Sequence, residues 1–171
     1  MLVERGAAMV GYKVTCDVVV NPEDFQFLKC SPTVEEGEVH VFLNLGVILR
    51  ALGSCDGDLP GRGSLYDRAR KRVGEVVSGF SHAGTNSVLD AIRAVYSLGS
   101  RETAGCVGIH YLVDHMEGME KSLVSDGALC RRYGISNSEL EELLIYIRQS
   151  DIGSVINCPA LRKILQIDYS L

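Results

Sequence analysis

Ser136-Asn137-Ser138-Glu139-Leu140-Glu141-Glu142-Leu143-Leu144-Ile145-Tyr146-Ile147 is the stretch on which the fold class turns. Ser136 and Glu139 have the S-x-x-E spacing of a capping box, in which each side chain answers a backbone amide that a helix start leaves unpaired. Leu140, Leu143, Leu144 and Ile147 then recur at helical spacing, so one face is apolar and the other charged. A capped helix with a buried stripe is expected here.

The same period extends to both sides. Ahead of it, Ala128-Leu129-Cys130-Arg131-Arg132-Tyr133-Gly134-Ile135-Ser136 superficially resembles the first half of a helix-turn-helix, with Gly134 in the turn. The following helix, however, opens with Glu139, Glu141 and Glu142, which favour the helix dipole but repel DNA phosphates. Plain helix packing is the better reading. After it, Pro159 suits a first helical turn, with Leu161, Ile164 and Leu165 facing inward. Upstream, Phe42, Leu45, Leu49 and Leu52 form one stripe that Gly53-Ser54 can end. Leu65, Ala69, Val73, Val76, Val77 and Phe80 form another, and Val88, Ala91, Ile92 and Val95 a third that ends near Gly99. A further helix is expected at Val107 to Met116.

The first forty residues change character. Lys13 to Val20 alternates Val14, Cys16, Val18 and Val20 with Lys13, Thr15, Asp17 and Val19, the two-residue period of a half-buried strand. Asn21-Pro22-Glu23-Asp24 reads as a turn. Phe25 to Cys30 reads as a second extended piece with Phe25 and Phe27 on one face. Glu35-Glu36-Gly37-Glu38 reads as another turn, leading into Val39-His40-Val41 as a returning strand. The expected class is α+β, mainly α, with a β segment over 1–41 and a helical domain over 42–171.

The 171 residues suit one domain, and 46% apolar with 23% charged residues excludes a disordered or collagen-like chain. A net charge of −5 argues against general polyanion binding but not against a local basic strip. Six cysteines stand far apart with no C-x-x-C, which reads as reduced thiols packed as small hydrophobes. No apolar run approaches the roughly 20 residues of a membrane-spanning helix, and Met1 to Arg5 lacks a signal-peptide stretch. An intracellular location is the default expectation.

Few residues are candidates for chemistry. Arg62, Arg68, Arg70, Lys71 and Arg72 set five cations against the single Asp67. Arg68 and Arg72, four apart, project together on a helix, while Arg70 and Lys71 point elsewhere. Guanidinium groups match phosphate oxygens in pairs, so the strip suits a nucleic-acid backbone as well as a solvated helix face. Asp56 and Asp58 bring two carboxylates together in a Gly-rich loop, too few ligands for a Mg²⁺ site; a turn supporting its own backbone explains them. His110 and His115 miss the i, i+4 spacing of a shared metal, and Ser81-His82 has no acid partner for a triad. No metal site is expected.

The order of segments in the first half resembles the C-terminal part of a viral RNA-dependent RNA polymerase, the end of the palm followed by the thumb. Ala7-Ala8-Met9-Val10-Gly11-Tyr12-Lys13-Val14-Thr15 is similar to palm motif D, a helix followed by a strand. Phe27-Leu28-Lys29-Cys30 resembles the core of motif E, with Cys30 where that motif has a basic residue. By this resemblance Lys13 is the motif D general acid that protonates departing pyrophosphate. Lys29 sits near the 3′ end of the growing strand, the turn at Glu35 to Glu38 belongs to the motif E hairpin, and Arg62, Arg68, Arg70, Lys71 and Arg72 face RNA across the thumb.

The palm's metal-binding aspartates are missing from this chain, which has no G-D-D and no D-x-x-x-x-D arrangement followed by a motif B segment. The resemblance therefore implies RNA binding without independent catalysis, with Mg²⁺ held by a palm and fingers portion on the same precursor or another chain, in the host cytoplasm. Two readings compete with it. One is a non-enzymatic helical protein-interaction module whose β segment serves as a docking edge; the other is an independent enzyme using the Asp56/Asp58 loop.

Overall fold

A computed structural model describes residues 2–16, 18–27, 29–54, 57–80, 83–97 and 123–169. The stretch Val107 to Met116, where a further helix is expected, and His110, His115, Asp56 and Ser81-His82 lie outside the described residues. Among the described residues, seven helices and one two-stranded antiparallel sheet make the fold α+β and mainly α.

The helix at the start, α1 (Leu2–Met9), buries none of its residues. The strand expected over Lys13 to Val20 does not form: residues 10–16 and 18–20 are irregular, with Val18 at 75% and Val20 at 96% exposure. Alternation specifies which side faces a core, but a strand also needs a neighbour for its amides and carbonyls. No other described strand pairs with this stretch.

Asn21 starts the expected turn, its Oδ1 accepting from the Glu23 amide at 3.1 Å, and Pro22–Asp24 makes one 3₁₀ turn. Phe25 to Cys30 is not one extended piece either. Phe27 and Cys30 exchange both backbone hydrogen bonds at 2.9 Å, so the chain reverses tightly there, with Lys29 at φ +66°.

The hairpin follows directly. Strand β1 (Cys30–Glu35) pairs antiparallel with β2 (Glu38–Leu43), from Cys30 opposite Leu43 to Glu35 opposite Glu38. Glu36 and Gly37, at φ +52° and +87°, are the two left-handed residues that a tight hairpin turn with the strands' own twist demands. The turn therefore falls where the sequence places it. Phe42 and Leu43 belong to the strand rather than to the following helix, and both are buried.

Helix α2 (Leu45–Gly53) buries Leu45 and Ile48, with Leu49 and Leu52 half-buried. Helix α3 (Leu65–Gly79) opens on a capping box of Ser64 and Asp67 and buries Val76, Val77 and the following Phe80. Leu65, assigned to that stripe, is 65% exposed because it lies in the first turn, before the helix reaches the core. Helix α4 (Ser87–Tyr96) starts on Asn86, whose Oδ1 accepts from the Leu89 amide at 2.9 Å, and buries Val88, Leu89, Ala91 and Ile92.

Helix α5 (Asp126–Tyr133) ends on left-handed Gly134, and α6 (Asn137–Gln149) carries the expected Ser136–Glu139 box with all four expected apolar residues buried. Helix α7 (Pro159–Tyr169) buries Ala160, Ile164 and Asp168. The hairpin's Phe42 and Leu43 and residues of α2 through α7 share one core cluster, with Tyr133, Phe42 and Phe80 its largest fully buried members.

Candidate nucleic-acid interface

The first polar feature is internal. Asn44 occupies the N-cap position of α2 but its side chain caps nothing. The Tyr133 hydroxyl accepts from the Leu45 amide at 3.0 Å, and Asp168 Oδ2 accepts from the Gly46 amide at 2.8 Å and from the Tyr133 hydroxyl at 3.0 Å. Arg132 completes the group, with Nη2 at 3.3 Å from Asp168 Oδ1 and Nη1 donating to the Glu23 carbonyl at 2.8 Å.

A Cβ on Gly46 would lie 2.8 Å from Asp168 Oδ2, so only glycine admits the carboxylate. Burial pushes Asp168 above the usual carboxylate range, against the opposing pull of the Gly46 amide and Arg132. Burial also raises the Tyr133 hydroxyl, reinforced by the charge of Asp168. With side chains 5% and 0% exposed, Arg132 and Asp168 form a latch that ties α7 to α2 and α5, closed to any ligand.

Beside the latch the surface is cationic. Gln26 Nε2 reaches the Asp168 carbonyl at 3.5 Å, which brings the hairpin's entry over the end of α7. There Lys29 Nζ lies 4.6 Å from the centroid of the Tyr169 ring, and the Arg50 guanidinium carbon lies 4.9 Å from the same centroid. Both cations are exposed, and neither forms an ion pair with another described residue.

Three causes bring them together. The left-handed backbone at Lys29 aims its side chain, α2 packs on α7, and the carbonyl end of α7 attracts positive charge. Two like charges on one ring repel each other, and the aromatic face offsets only part of that. A phosphate group is the kind of ligand such a pair accepts.

The basic strip of α3 is divided. Arg68 is half-buried and spends its guanidinium on the chain itself, Nη1 donating to the Leu59 carbonyl at 2.8 Å. Arg72 is also half-buried. Their shared face is the one the sequence assigns, but it is partly turned to the protein. Arg62 and Arg70 are exposed, and Lys71 stands 3.9 Å from Glu75. Arg70 shares its side of the helix with Tyr66, whose hydroxyl donates to Asp151 at 3.0 Å.

Lys13 is exposed in the irregular stretch. The motif E resemblance singles out Lys29, while the sequence reading points to neither Arg50 nor Tyr169. Arg50 carries one signal, a basic residue in the last turn of a helix; Tyr169, 140 positions from Lys29, carries none.

Among the described residues no group of three or more His, Cys, Asp and Glu could hold a metal ion, and no helix is long and apolar enough to cross a membrane. Asp58 is exposed. Cys158 is buried, whereas Cys16, Cys30 and Cys130 are half-buried free thiols. Comparison of the chain with protein-family models, curated proteins and solved structures finds no match.

Proposed function

We propose that this chain is the palm end and thumb of a viral RNA-dependent RNA polymerase, gripping primer and template while the metal-binding aspartates act from a palm and fingers portion. The observation that carries the reading is the hairpin β1–β2. It begins one residue after Lys29, where motif E would place it, leads straight into a helical unit, and carries the Lys29–Tyr169–Arg50 cluster at its base.

In this reading Lys29 and Arg50 hold backbone phosphates near the growing 3′ end, a task that needs charge and position but no base reading. Arg62, Arg70 and Lys71 extend the positive track along α3, and Arg68 and Arg72 position it. Lys13, in a stretch without regular structure, is the general acid toward the leaving pyrophosphate once the palm is in place; it acts only within hydrogen-bond reach of that oxygen. Mg²⁺ belongs to the palm, where it would activate the attacking 3′ hydroxyl.

The test is anisotropy of a labelled primer–template RNA with the full chain across a salt series. Binding should weaken steeply with salt, and the Lys29→Glu, Arg50→Glu double variant should lose at least about tenfold in affinity with a shallower slope, as expected when two phosphate contacts go. Affinity that ignores salt, or a double variant that binds like the parent, would remove the reading. Nucleotide incorporation should appear only when a palm-bearing portion is added.

One observation favours the alternative of a helical protein-interaction module. Leu2, Val3, Met9, Val10, Tyr12 and Val20 are all more than 60% exposed, an apolar arm suited to a protein partner. Salt-insensitive partner binding without RNA affinity would select it.

A further inference from the structure

A cavity of about 240 Å³ opens between α2, α3, α4, α6, α7 and the 150–158 connection. Its walls include Leu52, Val73, Ile92, Ile147, Ile156 and Leu161, drawn from six different segments. We propose that it binds a small, flat, apolar molecule of about two fused rings that carries one polar end.

Three observations define the ligand. The first is size: an enclosed apolar cavity of about 150 Å³ takes up benzene, and this one, open to solvent on one side, has room for a second ring. The second is the rim, where the polar groups are already paired. Tyr96 donates its hydroxyl to the Ser150 carbonyl at 3.2 Å, Asp151 accepts from Tyr66 at 3.0 Å, and the Asp151 amide donates to Ser154 Oγ at 3.1 Å. These bonds pin the 151–154 turn to α3 and α4, and Gly153, at φ +86°, completes the bend. The side chains of Leu52, Val73, Ile92, Ile147, Ile156 and Leu161 therefore ask for apolar contact.

The third is a shallower hollow of about 110 Å³ that shares Tyr96, Asp151 and Ile152 with the cavity. It is lined also by Arg70, Tyr66 and Ser97, so a hydroxyl or similar group at one end of the rings would lie among polar side chains. The cavity and the Lys29–Arg50 cluster share no residue, and this inference stands or falls apart from RNA binding.

The chain has no tryptophan, so the emission of 2-naphthol, excited to the red of tyrosine absorption, reports binding directly. The full chain should bind one equivalent of 2-naphthol saturably, and indole should displace it. Val73→Phe, which fills the cavity from the α3 wall, should weaken binding at least tenfold; Val73→Leu, a gentler filler, should fall between; Val155→Ser, at an exposed site outside the walls, should leave it unchanged. Non-saturable emission, or equal affinity in parent and both Val73 variants, would overturn the proposal.

Discussion

The two terminal helices of the described chain share an apolar stripe and little else. Helix α1 leaves Leu2 at 88% and Met9 at 85% exposure and buries nothing, whereas α7 sinks Ala160 and Ile164 to 0% and takes Asp168 with them. The stripe alone therefore does not decide whether a helix is held. Helix α7 meets α2, α5 and α6, and its one buried carboxylate finds a guanidinium, a hydroxyl and a backbone amide. Helix α1 buries no residue against a neighbour.

The strongest way to break this contrast is Asp168→Ala. It leaves Arg132 buried without its counter-charge and strips acceptors from Gly46 and Tyr133, and removing one member of a buried pair costs about 3–5 kcal/mol. Urea unfolding should show that loss. Met9→Ser and Val10→Ser, at exposed positions, should stay within about 0.5 kcal/mol of the parent. A loss below about 1 kcal/mol for Asp168→Ala would mean that apolar contact alone holds α7.

The same contrast explains what was legible in the sequence. The start and buried stripe of helix α6 could be read because cap and stripe lie together in one run from Ser136 to Ile147. The hairpin turn could be read because Glu36-Gly37 satisfies a local backbone demand. Lys13 to Val20 misled because alternation names a side, while pairing depends on a distant neighbour. The latch joins residues 35 and 122 positions apart, and Tyr169 meets Lys29 and Arg50 only through packing of α7 on α2. Contacts of that kind leave no periodic trace. Arg68 illustrates the converse, a conspicuous charge that the fold turns partly onto its own loop.

A smaller effect sharpens the account of α7. Glu139 closes the capping box of α6 by accepting from the Ser136 amide at 2.8 Å, and also receives Lys163 of α7 at 2.9 Å. The Ser136 amide, followed by Lys163, holds its carboxyl below the ordinary 4.5. The folded state thus favours the charged form. Its contribution is present above 4.5 and is lost as the pH falls through the lower folded-state value. Glu139→Gln removes that titration, so stability measured down the acid limb should fall less steeply than in the parent. Glu23 and Glu35, also held low by hydrogen bonds, keep some slope in the variant. An unchanged acid limb would show that the α6–α7 bridge contributes nothing.

A small change in stability is expected at Lys29, and it carries the most information about function. A lysine at φ +66° stands where glycine is at ease, and a left-handed residue with a Cβ costs about 1–2 kcal/mol. Its contact with Tyr169, an exposed cation on a ring, returns roughly 0.5–1 kcal/mol. Lys29→Gly relieves the first and gives up the second, so the net shift in unfolding free energy should be within about 1 kcal/mol, toward greater stability. RNA affinity should nevertheless fall, because Arg50 then stands alone on the ring. Residues kept in strained conformations concentrate at functional sites, and a variant that gains stability while losing RNA would place Lys29 among them. If stability drops by more than about 1 kcal/mol while RNA binding is untouched, Lys29 is instead a tether for the end of α7, and the cluster at the hairpin base is a structural contact.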